Sequence, residues 1–96
     1  MIRHTVVFKL KHPAGSQSEL EFLKAAQELS KISTVRNFEC LRQVSKKNDF
    51  DFGLSMEFDS MEGYETYNND PYHVEFVETR WIPEVEEFME IDYEPY

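Results

Sequence analysis

Apolar and polar side chains alternate at the start of the chain and predict a first β-strand over residues 2–11. One face of this strand carries Ile2, His4, Val6, Phe8 and Leu10. A loop rich in Pro, Gly and Ser follows, and the sequence SELE at residues 18–21 is typical of a capping box that opens a helix. Apolar residues then recur with helical spacing. We expect this helix to end near residues 30–33.

The middle of the chain predicts a β-hairpin. Residues 36–46, RNFECLRQVSK, alternate again, and residues 50–58, FDFGLSMEF, carry five large apolar side chains on one face. A polar turn, KKND, separates the two strands. Near the end, VEEFMEIDY at residues 85–93 predicts a last strand, with Phe88, Glu90 and Asp92 sharing one face.

Two helices are predicted between the hairpin and the last strand. Asp59 or Ser60 suits the N-cap of the first. Asp70-Pro71 suits the start of the second, because Asp is a favoured N-cap and Pro fits the first helical turn. We expect the second helix to run to about Trp81, ahead of Pro83.

This order of elements predicts a single α+β domain over residues 1–96, a ferredoxin-like split βαβ arrangement with an antiparallel four-stranded sheet and helices on one face. Right-handed crossovers place the first and third strands in the middle of the sheet. The side facing away from the helices is expected to carry a mixed set of residues, namely Thr5, Val7, Leu41, Gly53, Ser55 and Phe88. A second copy of the chain is the natural cover for that face, so a homodimer is predicted.

Charge and composition exclude several partners. The formal net charge is −9, and residues 49–96 hold fifteen acidic residues against the single base Arg80. Such a surface repels phosphate backbones and anionic lipids, so we expect neither nucleic acid nor membrane as a partner. Cys40 is the only cysteine and the N-terminal segment lacks a secretory pattern. A cytoplasmic location is therefore expected.

Two histidines lie on faces that are expected to meet. His4 lies on the apolar face of the first strand, and His73 lies beside the apolar stripe in the first turn of a helix. The helix dipole there favours a neutral imidazole, which can accept a proton as a general base. Tyr64 and Tyr67 lead into the same space. The alternative is that both histidines are core residues whose polar atoms are satisfied by backbone groups.

Other site chemistries lack support in the sequence. With three glycines no Gly-rich phosphate loop is available, and no G-x-S-x-G nucleophile motif occurs. The acidic residues near the end of the chain lack metal-loop spacing, and two histidines without a third ligand make a poor zinc site. We therefore expect no cofactor and no metal.

Three stretches of the sequence carry a resemblance to a known family. They are RHTVVFKLK, the segment DFDFGLSMEFDSMEGYETYNNDPYHVEFV, and EIDYEP. With these, nearly the whole chain resembles the Dabb family, the stress-responsive dimeric α/β-barrel domains. The resemblance implies a ferredoxin-like protomer whose sheet packs against that of its partner. It also implies a relation to plant polyketide cyclases of the olivetolic acid type, which close a linear polyketide without any cofactor.

In those cyclases the histidine matching His73 acts as the base, the one matching His4 assists, and a tyrosine matching Tyr67 holds the carbonyl. This chain departs from them at Phe52, where the cyclases have a further pocket histidine, and near Ala26, where they have a tyrosine. We therefore expect a small-molecule pocket of different shape between sheet and helices. Its predicted catalytic residues are His73, His4 and Tyr67, and its predicted substrate-binding residues are Phe8, Leu23, Tyr64 and Trp81.

Three functions remain open at this point. The first is binding of an unknown small molecule with cofactor-free acid–base chemistry on a carbonyl or polyketide-like compound, as in a cyclase or lyase. The second is a non-enzymatic, stress-related or structural dimer. The third is a cofactor-independent monooxygenase on the same scaffold.

Overall fold

The computed structural model describes all 96 residues as one sheet covered by helices on one side. The strands are β1 (Ile2–Leu10), β2 (Arg36–Arg42), β3 (Phe52–Phe58) and β4 (Val85–Tyr93). They are antiparallel in the order β2-β3-β1-β4, so the first and third strands are central. The predicted ferredoxin-like α+β arrangement is confirmed. No helix is long and apolar enough to span a lipid bilayer.

The N-cap of the first helix, α1 (Gln17–Gln27), lies two residues before the start of the predicted capping box. Ser16 is the N-cap, and its hydroxyl accepts a hydrogen bond from the Glu19 backbone N–H. The prediction for residues 18–21 was wrong because Ser16 and Glu19 have the same Ser-x-x-Glu spacing one half-turn earlier. A short 3₁₀ segment, Glu28–Lys31, then ends the helical region near the expected place.

The second helical region is longer than predicted. It consists of α2 (Met61–Asn69), α3 (Pro71–Phe76), a π-helical segment (Val77–Trp81) and a short α4 (Ile82–Glu84). Ser60 caps α2 by accepting from the Gly63 N–H, and Asp70 caps α3 by accepting from the Tyr72 N–H. Pro83 does not end the helical region at Trp81, because the π-helical segment before it already departs from regular α-helical hydrogen bonding.

Phe88 of β4 faces the helices, whereas the prediction placed it on the open face of the sheet. In the pairing of β1 with β4, Phe88 lies opposite Phe8, and Asp92 lies opposite His4. These positions of β1 face the helices, so Phe88, Glu90 and Asp92 face them too. A register shift between Lys9 and Leu10 marks a β-bulge, which moves Val85 onto the helix-facing side beside Leu10. The open face of β4 instead carries Met89, Ile91 and Tyr93.

The core lies between the sheet and the helices. Phe8, Phe22, Ala26, Met56 and Phe58 have no exposed surface. His4 is the only polar or charged residue among the eighteen buried ones. A buried polar side chain is costly unless it has hydrogen-bond partners, so the surroundings of His4 indicate where the chain carries chemistry.

Candidate functional site

A cavity of about 520 Å³ lies between the sheet and the segment from α2 to α4. Its size is typical of pockets that hold small organic molecules. Twelve of its sixteen lining residues are hydrophobic, and the other four are His4, Asn68, His73 and Glu90. Among the lining residues, Ile82 is 65% and Phe88 51% exposed.

His4 is held by a hydrogen-bonded group on one side of its ring. Its Nδ1 lies 2.6 Å from Oδ1 of Asp92 and 2.8 Å from the Tyr64 hydroxyl. The Tyr64 hydroxyl also donates to Oδ2 of Asp92 at 2.9 Å. A carboxylate only accepts hydrogen bonds, so Nδ1 must carry the proton. In the neutral ring the lone pair is then on Nε2, which has no partner within the chain.

His73 is placed by the sharp turn between α2 and α3. Asp70 ends α2 and caps α3, and Pro71 fits the first turn of α3, so the chain reverses between Tyr67 and His73. The two rings lie with their centroids 4.4 Å apart. Nδ1 of His73 donates to the backbone carbonyl of Asn68 at 3.1 Å, which leaves Nε2 as the acceptor atom.

Burial is the main cause that lowers the pKa of His73 below its ordinary value, and protonation of His4 acts in the same direction. The hydrogen bond to Asn68 opposes this shift only in part. The imidazole of His73 is therefore neutral near pH 7 and able to accept a proton.

Tyr67 lies close to both histidines. Its ring centroid is 6.2 Å from that of His4 and 4.4 Å from that of His73. The residue is 2% exposed, and its hydroxyl makes no hydrogen bond within the chain, although it borders the cavity. Burial raises the pKa of Tyr67 well above its ordinary value, and the charge of Glu90 adds to the shift. The hydroxyl therefore stays protonated and is available as a donor.

Five of the seven residues predicted for the site line this cavity, namely His4, Tyr64, Tyr67, His73 and Trp81. Phe8 and Leu23 do not. Phe8 has no exposed surface and packs against Phe22 and Trp81 in the adjoining core, because its ring lies one step further along β1. Leu23 is half-buried on α1 and packs against the core away from the cavity.

Three residues of β4 were not predicted for the site. Phe88 and Glu90 line the cavity, and Asp92 binds His4. The alternation of β4 had grouped these three on one face, but only the pairing of β4 with β1 shows that this face meets the helices. No cluster of three or more His, Cys, Asp or Glu residues suited to a metal ion is present in the chain.

Comparison with known proteins identifies the fold and the family. The family model described as the Stress responsive A/B Barrel Domain, Dabb, matches residues 2–95. A Dabb family protein with a ferredoxin-like fold from Mesorhizobium loti is 55% identical, with a TM-score of 0.96 and coverage of 99% of this chain and 96% of that one. No functionally curated protein matches the sequence.

Two more distant structures share the fold alone. A dimeric protein of unknown function from Bacteroides fragilis is 24% identical, with a TM-score of 0.74 and coverage of 98% of this chain and 95% of that one. A hydroxynitrile lyase from Passiflora edulis is 15% identical, with a TM-score of 0.83 and coverage of 96% of this chain and 90% of that one.

Proposed function

Because the chain belongs to the Dabb family of stress-responsive A/B barrel domains, we propose that its cavity binds a small carbonyl compound and catalyses cofactor-free acid–base chemistry on it. One observation carries this proposal. Two imidazoles, each with Nδ1 occupied and Nε2 free, border one cavity together with the unpartnered hydroxyl of Tyr67. The hydroxynitrile lyase from Passiflora edulis shows that this fold can carry an enzyme.

His73 acts as the general base. Its Nε2 takes a proton from the carbon next to the carbonyl, and burial keeps this imidazole neutral before the reaction. The electron pair left on the substrate moves to the carbonyl oxygen and gives an enolate. Tyr67 donates its hydroxyl hydrogen bond to that oxygen, where negative charge develops. The enolate then takes up a proton or adds to a second carbonyl group.

His4 assists as the second imidazole beside Tyr67. Asp92 fixes its tautomer and its orientation through the 2.6 Å hydrogen bond to Nδ1, while Tyr64 holds the carboxylate. The free Nε2 of His4 accepts a hydrogen bond from a substrate hydroxyl group. The carboxylate also stabilises His4 if that proton is transferred to the ring.

The test is the exchange of α-protons of simple ketones, such as acetophenone, for deuterium in D₂O, followed by NMR. We expect wild-type protein to accelerate exchange over buffer, and the acceleration to fall about 10²- to 10⁴-fold in His73→Gln. Tyr67→Phe, which removes only the hydroxyl, should lose a smaller factor. His12→Gln is the matched control, since His12 lies outside the cavity.

Two results would overturn the proposal. One is ketone binding in the cavity without acceleration by the wild-type protein, which favours a non-enzymatic binding protein. The other is full activity in His73→Gln. Repeating the assay without dioxygen separates acid–base chemistry from the monooxygenase alternative, because only the latter consumes dioxygen.

We also propose that the protein is a homodimer, with a second copy covering the open face of the sheet. This face carries exposed apolar side chains on its two edge strands, including Leu41 on β2 and Met89 and Ile91 on β4, at 43%, 51% and 40% exposure. An apolar sheet face is the kind of surface that a second subunit buries. The family description as a barrel and the dimeric relative from Bacteroides fragilis support the same assembly.

Analytical ultracentrifugation tests the assembly. Ile91→Lys places a charge on the apolar part of the open sheet face and should shift the protein to monomer at a concentration where wild type is a dimer. Val74→Lys is the matched control, because Val74 is exposed to the same degree, 41%, on the helical side. A dimeric Ile91→Lys variant, or a monomeric wild type, would contradict the proposal.

A further inference from the structure

Glu90 is the one lining residue of the cavity with a carboxylate. It lies on β4 opposite Val6, on the face that meets the helices. Neither a hydrogen bond nor an ion pair joins its side chain to another residue of the chain, unlike the neighbouring Asp92, which binds His4 and Tyr64. Glu90 is exposed to solvent, so its carboxylate lies at the solvent-facing part of a mostly apolar lining, without a partner of its own.

The fixed charges in and beside the cavity lining are all negative. No Lys or Arg is among the sixteen lining residues. Asp92 lies two residues from Glu90 on the same face of β4, about 7 Å away along the strand. The charge of Glu90 also contributes to the raised pKa of both Tyr64 and Tyr67, so its field reaches the polar end of the cavity.

We infer that Glu90 is a specificity-determining residue, and that the cavity takes compounds whose outer end carries a hydrogen-bond donor, a hydroxyl or an ammonium group, and rejects carboxylates. A donor on the ligand satisfies Glu90, whereas a carboxylate meets like charge and no cation to neutralise it. The inference rests on the proposed function, which accounts for the carbonyl group at the inner end of the ligand. It adds the chemical class of the outer end.

Binding of three matched probes tests this inference. The probes are acetophenones with an aminomethyl, a hydroxymethyl or a carboxylate group in the para position, titrated by NMR at physiological salt. We expect the aminomethyl compound to bind most tightly and the carboxylate least, with about a tenfold difference in Kd between them. Glu90→Gln should reduce this difference to within about threefold, and Glu90→Lys should reverse the order.

Glu78→Gln is the matched control. It removes the same charge from an exposed position outside the cavity and should keep the wild-type order of affinities. If it narrows the difference as much as Glu90→Gln does, the net charge of the protein explains the selectivity and the inference is wrong. Equal affinities of the three probes for wild type also contradict it.

The readout is affinity, so this inference and the proposed function fail in different ways. Selective binding without any proton exchange would leave Glu90 as the selectivity residue of a binding protein. Proton exchange that is equally fast for all three probes and unchanged in Glu90→Gln would leave the acid–base function and remove the role of Glu90. Absence of binding by every probe would overturn both.

Discussion

The space between sheet and helices has a filled half and a hollow half. In the filled half Phe8 packs against Phe22, Phe52 and Trp81, with ring centroids 5.0–5.8 Å apart. In the hollow half, His4 and Tyr67 border a cavity of about 520 Å³. Trp81 belongs to both, since it packs on Phe8 and also lines the cavity.

The difference follows from the side chains that β1 directs toward the helices. Phe8 and Leu10 have no directional demands, so their neighbours close around them to interior density. His4 and its partners Tyr64 and Asp92 are tied to one another by hydrogen bonds of fixed length and direction. These bonds hold the wall of the cavity in place, so the same strand supports packing at one end and a site at the other.

The largest effect on stability is expected from a substitution that removes packing in the filled half. Phe22→Ala removes a side chain with no exposed surface and should lower the free energy of unfolding by about 3–5 kcal/mol. Val77→Ala, in the wall of the cavity, should cost about 1 kcal/mol or less, because part of that side chain already borders open space. Urea denaturation measures both, and similar costs for the two variants would contradict the division into halves.

A second prediction concerns the hydrogen bonds that support the hollow half. Asp92→Asn removes the carboxylate that fixes His4 and should slow proton exchange about 10- to 100-fold, since a mispositioned catalytic group loses rate. The ¹⁵N NMR signals of His4 should also change from the Nδ1–H tautomer toward a mixture. Glu84→Gln removes an equivalent carboxylate, 2.6 Å from His12 but outside the cavity, and should change neither readout. Equal loss in both variants would contradict a special role for Asp92.

The smallest effect is expected on the pH dependence of stability. Burial lowers the pKa of His73 in the folded chain, so between the folded pKa and the unfolded value of 6.5 the unfolded state binds more protons. The stability linked to neutral His73 is therefore complete above about pH 6.5 and is lost as the pH falls below it. Thermal unfolding at about pH 7.5 and pH 5 should show a smaller drop in Tm for His73→Gln than for wild type. An equal or larger drop in the variant would show that His73 is not the group responsible.

Much of the fold was predictable because it depends on short-range patterns. The alternation in β1 identified the face that carries His4, and Asp70-Pro71 identified the start of α3 and thus the position of His73. The helix start at Ser16 was missed by two residues, since two overlapping Ser-x-x-Glu spacings compete there. The helix end was missed because a π-helical segment leads into a short α4, whose first turn accommodates Pro83.

The sequence by itself determined which elements form, which side of β1 is apolar, and that a histidine interrupts it. Only the tertiary structure decided that Asp92, 88 residues away, binds that histidine and that Phe88 and Glu90 line the cavity. The reason is the register of β4 on β1, including a bulge near Lys9, which no local pattern encodes. Side-chain periodicity is a property of neighbouring residues, whereas the alignment of two distant strands is fixed by the packing of the whole domain.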